Sequence, residues 1–403
     1  MVNFDVVNDI ATTNKTIFLL TDLDVPIDEK GVITNDKKIR LAMPTISYLI
    51  KTGARVVIAT HLGRPAKRFD ARFSTRPIAK YLNDRLPCDV SFCDESIGEK
   101  TRRAIFRAAY GDAIVLENLL FHCEESEFDM NFAKQLAEGM NIYVNDAFGY
   151  CDKSFASVLG VPLFVRATAG LVLTNEIRKL DLFLNSGKGF NTAIVGGDYF
   201  DDKFDLLDKL VEVAKFVVIG GNVANTFLVA TGKKIGKSFY EPLLLDKAKD
   251  LLVKASKNDC MIVLPQDVIV AKDVNASGKL QKKSVNDIKE DDIIIDIADA
   301  TLKRIGDVLD LSKYVFWDNL LTSGNKKSSF STKIIGEKVA LLTKKKKMFS
   351  IVSGNDVIIA LNKLDKLDKI SFVARHRNST IQYLCGQVLP GIEILRRLSK
   401  QLA

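Results

Sequence analysis

From Lys15 onward the chain repeats one pattern, a short β-type run, a polar loop and a stretch of helical periodicity, and this alternation restricts its fold more than any other feature. Candidate strands at Ile17 to Leu20, Arg55 to Thr60, Ala113 to Leu116 and Ile142 to Asn145 run into the loops TDLDVP, HLGRP, ENLLFH and NDAFG. Helices fit between them, over Lys38 to Thr52, Arg76 to Leu86 and Asn131 to Glu138. Strands that alternate with helices predict a parallel sheet with right-handed crossovers. In the run RVVIATHLGRP, Val56, Val57 and Ile58 suit a strand buried on both faces. His61 and Arg64 then fall at its C-terminal end, where open α/β sheets bind ligands, and point to an anion site. The plainer reading is a surface loop in which loop carbonyls hold both side chains.

The register changes near Ala169, and LVLTNEIRKLDLFL, Leu171 to Leu184, reads as one amphipathic helix that ends at Asn185, Ser186 and Gly187. The pattern then restarts. Thr192 to Val195 leads into Gly196 and Gly197, Phe216 to Ile219 into Gly220 and Gly221, and Cys260 to Leu264 into Pro265. Further strands are expected at Ile293 to Ile297, Tyr314 to Trp317 and Phe349 to Val352. The expected fold is therefore α/β: two Rossmann-like three-layer α/β/α lobes with parallel sheets, joined by a long helix and enclosing a cleft. Its parts are residues 1–169, the connector 170–186, residues 187–388, and a tail, 389–403, that turns at LPG and folds back on the first lobe. No sequence repeat of about 20 to 50 residues accompanies the two halves, so their likeness is architectural.

A chain of 403 residues supports two domains of ordinary size. Its 58 basic against 50 acidic residues give a formal charge of +8, which suits acidic small ligands or a weak attraction to nucleic acid and selects neither. Cys88, Cys93, Cys123, Cys151, Cys260 and Cys385 show no C-x-x-C spacing and are joined by only three histidines, which argues against metal and disulfide frameworks and for a reducing, cytoplasmic setting. No charged leader precedes Asn3 to Asp9, and no apolar run nears the ~18 residues of a membrane helix. The lysine run Lys344 to Lys347 reads as a solvated helix end rather than a nucleic-acid patch.

Specific motifs run in order along the whole chain. They are TDLDVP (21–26), MPTI (43–46), THLGRP (60–65), LENLLFH (116–122), VNDAFG (144–149) and ATAGLVLTNEI (167–177) in the first half. VIGGNVANTFL (218–228), IGKS (235–238), LPQDVIVA (264–271) and LPGIE (389–393) continue them in the second. In this order they resemble the phosphoglycerate kinase family, and the resemblance implies a monomeric two-lobed hinge enzyme of glycolysis. The N-terminal lobe would hold 3-phosphoglycerate and the C-terminal lobe MgATP or MgADP. Such a transfer needs positive charge and backbone N-H groups aimed at the moving phosphoryl group, and little covalent help.

Carried over position by position, the resemblance keeps Asp22, His61 and Arg64 in the acceptor site, with Asp24 replacing an asparagine and Lys38 and Lys153 replacing arginines. Leu20 and Leu120 stand in place of two further arginines, and Asp152 and Phe155 in place of histidines. Lysine keeps the charge but not the two-pronged planar donor that grips a phosphate or carboxylate. In the nucleotide lobe the resemblance assigns Gly196, Gly197, Lys203, Gly220, Gly221, Asp318 and Asp356 to the nucleotide, and Asp356 also to magnesium. Ser353, Asn355 and Val357 replace two glycines and a threonine beside it. Tyr199 occupies the slot of the lysine that bridges to the transferred group, so Lys38 and Lys203 are the catalytic candidates that survive. Tyr199 is expected to pack across the cleft rather than act as a base. Asp318 replaces an asparagine and Asn325 a ribose-binding glutamate. Arg375, His376, Arg377 and Asn378 cover a threonine and three glycines at a helix N-terminus, where a Cβ hinders approach of phosphate oxygens to backbone N-H groups.

Loss of one transition-state donor typically costs about 3 to 4 kcal/mol, and several are gone at once. The first expectation is a family member with weak or lost kinase activity that acts by binding. The second is an active, divergent kinase in which Lys38, Lys153, Arg375 and Arg377 substitute for what is missing. A third, resting on charge alone, is a basic module for RNA or another acidic partner.

Overall fold

The computed structural model describes residues 3–187, 191–273, 279–323 and 330–401. The chain divides into two compact units, Met1–Arg178 with Gln387–Ala403, and Lys179–Gly386. The first unit carries β1 (Thr16–Leu20), α1 (Lys37–Lys51), β2 (Arg55–Ala59), α2 (Arg76–Asn83), β3 (Val90–Cys93) and α3 (Glu99–Arg107). It continues with β4 (Ala113–Leu116), α4 (Cys123–Ser126), α5 (Met130–Ala137), β5 (Ile142–Asn145), β6 (Arg166–Ala169) and the start of α6 (Leu171–Leu184). All six strands run parallel in the order β3-β4-β2-β1-β5-β6.

β1, β4 and β5 are buried at every position, because helices cover both faces of a parallel sheet and leave no alternating polar face. Ile17, Leu19, Val56, Ile58, Val115 and Val144 share one core with Ile39, Ile46 and Leu49 of α1. The chain leaves β1 toward β2 on one side and later returns as β5 on the other, with Leu20 paired to both Ala59 and Asn145. The switch point, where such sheets bind ligands, thus lies between β1 and β5.

Asp146, the residue after β5, is buried and accepts hydrogen bonds at Oδ1 from the N-H groups of Val172 (2.9 Å) and Leu173 (3.1 Å) in the first turn of α6. Burial nevertheless pushes its carboxyl up, from 3.8 to about 6, against the pull of Thr45 and those two N-H groups. A folded-state value above the unfolded one means that the group's stabilisation is complete at low pH and lost as pH rises toward 6. Urea unfolding of the native chain and of Asp146→Asn should therefore show their difference shifting by about 2 kcal/mol in favour of the variant between pH 4.5 and 7.5. A pH-independent difference would show that the carboxyl stays charged throughout.

The tail forms α14 (Pro390–Gln401), which belongs to the first unit. The Gly391 N-H donates to the Cys151 carbonyl (2.9 Å) and the Asp5 N-H to Ser399 Oγ (2.9 Å). A Cβ on Gly391 would stand 2.9 Å from Val158 Cγ1 and 3.0 Å from Cys151 Cα, so only glycine lets the tail sit this close.

The second unit runs β7 (Asn191–Val195), α7 (Phe204–Val213), β8 (Phe216–Ile219), α8 (Gly221–Ala230), α9 (Leu245–Lys257) and β9 (Met261–Val263). β10 (Asp267–Ala271), β11 (Gln281–Ser284), β12 (Ile293–Ile297), α10 (Asp299–Leu311), β13 (Tyr314–Asp318) and α11 (Phe330–Lys344) follow. β14 (Phe349–Ser353), α12 (Asn355–Lys363), β15 (Phe372–Ala374) and α13 (Arg377–Leu384) complete it. Its parallel sheet has the order β15-β14-β13-β7-β8-β9, with the switch point between β7 and β13. Ile293 to Ile297, expected to continue the parallel pattern, instead pairs antiparallel with β10 in a separate sheet ordered β11-β10-β12. The isoleucine-rich run IIIDI declares a buried strand but not its partner. Among the described residues no helix is long and apolar enough to cross a membrane.

Candidate functional site

In the first unit the loops after β1, β2 and β5 meet at the switch point. Leu23 N-H donates to Thr60 Oγ1 (3.0 Å), and Gly63 N-H donates to Asp24 Oδ1 (2.9 Å). Lys38, in the first turn of α1, places its ammonium 2.9 Å from Asp22 and 3.7 Å from Asp24. Lys153 pairs with its neighbour Asp152 at 2.7 Å, while Arg64 is exposed. Burial lifts the Tyr150 phenol well above its ordinary range, and the charges of Asp22, Asp24, Arg64 and Asp152 all reach it. Three cations thus share this basin with three carboxylates, and two of the cations are already ion-paired. An incoming dianion would meet little net attraction.

His61, which sequence reasoning places on an anion, lies in the interior with no exposed surface. Its Nε2 is 2.7 Å from Glu125 Oε1, and its ring rests on Tyr150 and Phe155, with centroids 4.3 and 5.2 Å away. Glu125, also fully buried, accepts from Ser157 Oγ (2.5 Å) and Ser157 N-H (3.0 Å). Phe155, where the family resemblance expects a histidine, supplies one wall of this apolar slot. His61 therefore braces the β2 loop against α4. Leu20 and Leu120 follow the same trend: the first is wholly buried at the end of β1 and the second half-buried. His122 is a packing residue beside Phe132, its imidazole held below the ordinary value by burial.

In the second unit one carboxylate dominates the switch point. Asp318, the last residue of β13, has no exposed surface and receives Lys203 Nζ on Oδ2 at 2.5 Å. The Arg377 guanidinium adds two bonds at 3.2 Å, from Nε to Oδ1 and from Nη2 to Oδ2. Lys203 is only 2% exposed; burial lowers its ammonium, and Asp318 opposes that. Asp318 thus takes up Lys203, which the resemblance assigns to the nucleotide, and Arg377, which stands where the resemblance expects glycine. Arg377 opens α13, and Arg375 sits half-buried just before it. Tyr199 is 54% exposed and meets Phe239 of its own unit edge-on, centroids 5.7 Å apart.

The four glycines at this end accommodate neighbouring backbone and side chains of the same unit. A Cβ on Gly196 would lie 1.8 Å from the Leu320 carbonyl oxygen, and one on Gly220 2.6 Å from Leu321 Cδ2. Gly197 and Gly221 have φ of +130° and +65°, and the Gly221 N-H donates to the Leu321 carbonyl (2.8 Å). Asn319 turns this loop at φ +64°, with its carbonyl held by Trp317 Nε1 at 2.8 Å. Asp356 lies in the first turn of α12, and Asn325 lies outside the described residues.

A magnesium nucleotide fits these residues poorly along its phosphate chain. Arg377 carries a side chain at the start of α13 where an open N-terminus would cradle phosphate, and its charge is engaged by Asp318. No group of three or more His, Cys, Asp or Glu side chains converges as a metal site among the described residues, so magnesium would depend on Asp356 and on phosphate oxygens. Glu125 and Asp318 as a double acceptor escape sequence reasoning, because 64 residues separate Glu125 from His61 and 59 separate Asp318 from Arg377.

Two doubly wound sheets, each with polar loops gathered at its switch point, define a two-unit α/β protein of the ligand-handling kind. The family signature described as Phosphoglycerate kinase matches residues 7–387. The phosphoglycerate kinase of Borrelia garinii subsp. bavariensis is 35% identical over 384 residues, covering 95% of this chain and 96% of that protein. That of Wolbachia pipientis wMel is 36% identical over 387 residues, with 95% and 96% covered. The structure of phosphoglycerate kinase from Coxiella burnetii matches with a TM-score of 0.90 at 31% identity, covering 98% of this chain and all of that one. The chain belongs to the phosphoglycerate kinase family. These matches lend no support to a basic RNA-binding module.

Proposed function

We propose that this family member has weak or lost phosphoryl-transfer activity and acts by binding, as a monomer in the cytoplasm. One observation carries the reading: the buried carboxylate of Asp318 ties up Lys203 and Arg377 at the switch point of the second unit. A phosphate chain entering there must compete with a charge-assisted, desolvated contact that is already made. Tyr199 adds no cation, and Lys38 and Lys153 in the first unit are also ion-paired, in more exposed contacts. The family's use of ATP or ADP with Mg2+ and of 3-phosphoglycerate sets the ligands to test.

Calorimetric titration of the full chain with MgADP and, separately, with 3-phosphoglycerate distinguishes the readings. The proposal expects affinities weaker than about 1 mM for both, which corresponds to about 4 kcal/mol of binding free energy. Micromolar binding of both would favour an active enzyme in which Lys38, Lys153, Arg375 and Arg377 replace the missing groups.

A further inference from the structure

We infer that a cavity at the C-terminal end of α8 is a binding site for a small organic anion with an apolar body. It shares no residue with the Asp318 cluster and does not depend on whether the chain transfers phosphoryl groups. Its volume of about 490 Å3 falls within the ~300 to 1,000 Å3 typical of small-ligand sites. The walls come from the ends of α8, β9 and β11 and from α10. Leu228 and Val285, 2% and 6% exposed, form apolar wall together with the half-buried Ile262.

Charge gives the site its chemistry. Lys233 and Arg304 line the cavity, and no carboxylate does. Lys233 Nζ donates to the neutral Asn286 Oδ1 at 2.8 Å, and Arg304 Nη2 to the weakly accepting sulfur of Met261 at 3.6 Å. Neither cation is ion-paired among the described residues, whereas Lys38, Lys153, Lys203 and Arg377 all are. Two cations without a carboxylate partner thus stand beside apolar wall. A carboxylate, sulfonate or phosphate would satisfy the cations while a ring or branched chain covers Leu228, Ile262 and Val285.

Naphthalene-1-sulfonate is a suitable probe, with the neutral 1-naphthylmethanol as its uncharged counterpart. Calorimetry on the full chain in about 0.15 M salt, where surface charges are screened beyond ~8 Å, should show saturable binding of the sulfonate at least about tenfold tighter than of the alcohol. Lys233→Gln and Arg304→Gln should each weaken the sulfonate about tenfold and leave the alcohol unchanged. Lys346→Gln, an exposed lysine outside the cavity, should change neither. Equal affinity for sulfonate and alcohol, retained affinity in both glutamine variants, or an equal loss in Lys346→Gln would each overturn the site.

Discussion

Combining Tyr199→Lys, Asp318→Asn and Arg377→Gly in one chain should raise phosphoryl transfer from MgATP to 3-phosphoglycerate by about two decades or more. Each change restores a separate physical element. Asp318→Asn leaves a neutral amide that no longer holds Lys203 as a carboxylate does, so the ammonium becomes available to phosphate. Arg377→Gly removes the guanidinium from the start of α13 and lets phosphate oxygens approach the helix N-terminus. Tyr199→Lys supplies a cation where the phenol ring now packs on Phe239. One transition-state donor is typically worth about two to three decades, but groups that act together do not add, which sets the expectation near the lower end for the triple variant. A coupled assay of the single, double and triple variants provides the check. A triple variant no faster than the parent would place the defect in the first unit alone.

The second large effect is on stability. Asp318→Ala should cost about 3 to 5 kcal/mol, because it leaves the buried Lys203 ammonium without a counter-charge. Urea unfolding measures this, and the double variant Asp318→Ala with Lys203→Met should recover much of the loss, since a buried pair replaced as a whole by apolar groups is often nearly neutral. The pH dependence has a definite sign. Burial already lowers the Lys203 ammonium, and removing Asp318 lowers it further; a base depressed in the folded state gains stability as pH rises. The deficit of Asp318→Ala should therefore shrink toward pH 10. A deficit unaffected by adding Lys203→Met would mean that Asp318 matters for packing and not for charge.

Much of the fold is legible in the chain because parallel strands are covered on both faces. Phe18, Val57, Ile114 and Val144 sit in unbroken apolar runs, and these runs mark β1, β2, β4 and β5 within a residue or so. The edge strands VSFC and RATA are short and mixed, so periodicity misses them. Ile293 to Ile297 shows the converse limit, a strand read correctly and joined to the wrong sheet.

The candidate site is legible as a set of substitutions but not as a set of contacts. Asp318 in place of asparagine and Arg377 in place of glycine read in sequence as two unrelated losses. In the fold they are one ion pair, formed because β13 and the start of α13 meet at the same end of the sheet. His61 shows the same gap, since nothing in HLGRP announces that Glu125 will receive it in the interior. The glycines at 196, 197, 220 and 221 suggest phosphate in sequence, while in the structure their open sides receive the Asn319 to Thr322 loop, the Lys203 side chain and one another.

The most direct measurement is turnover of the unaltered full chain with saturating MgATP and 3-phosphoglycerate, followed by formation of ADP in a coupled assay. With Lys38 and Lys153 of the first unit and Lys203 and Arg377 of the second engaged by carboxylates, kcat should fall below about 0.01 s⁻¹, about two to four decades under the ~1 to 100 s⁻¹ typical of kinases. A kcat within that ordinary range would contradict the account and show that Lys203 and Arg377 leave Asp318 for the substrate.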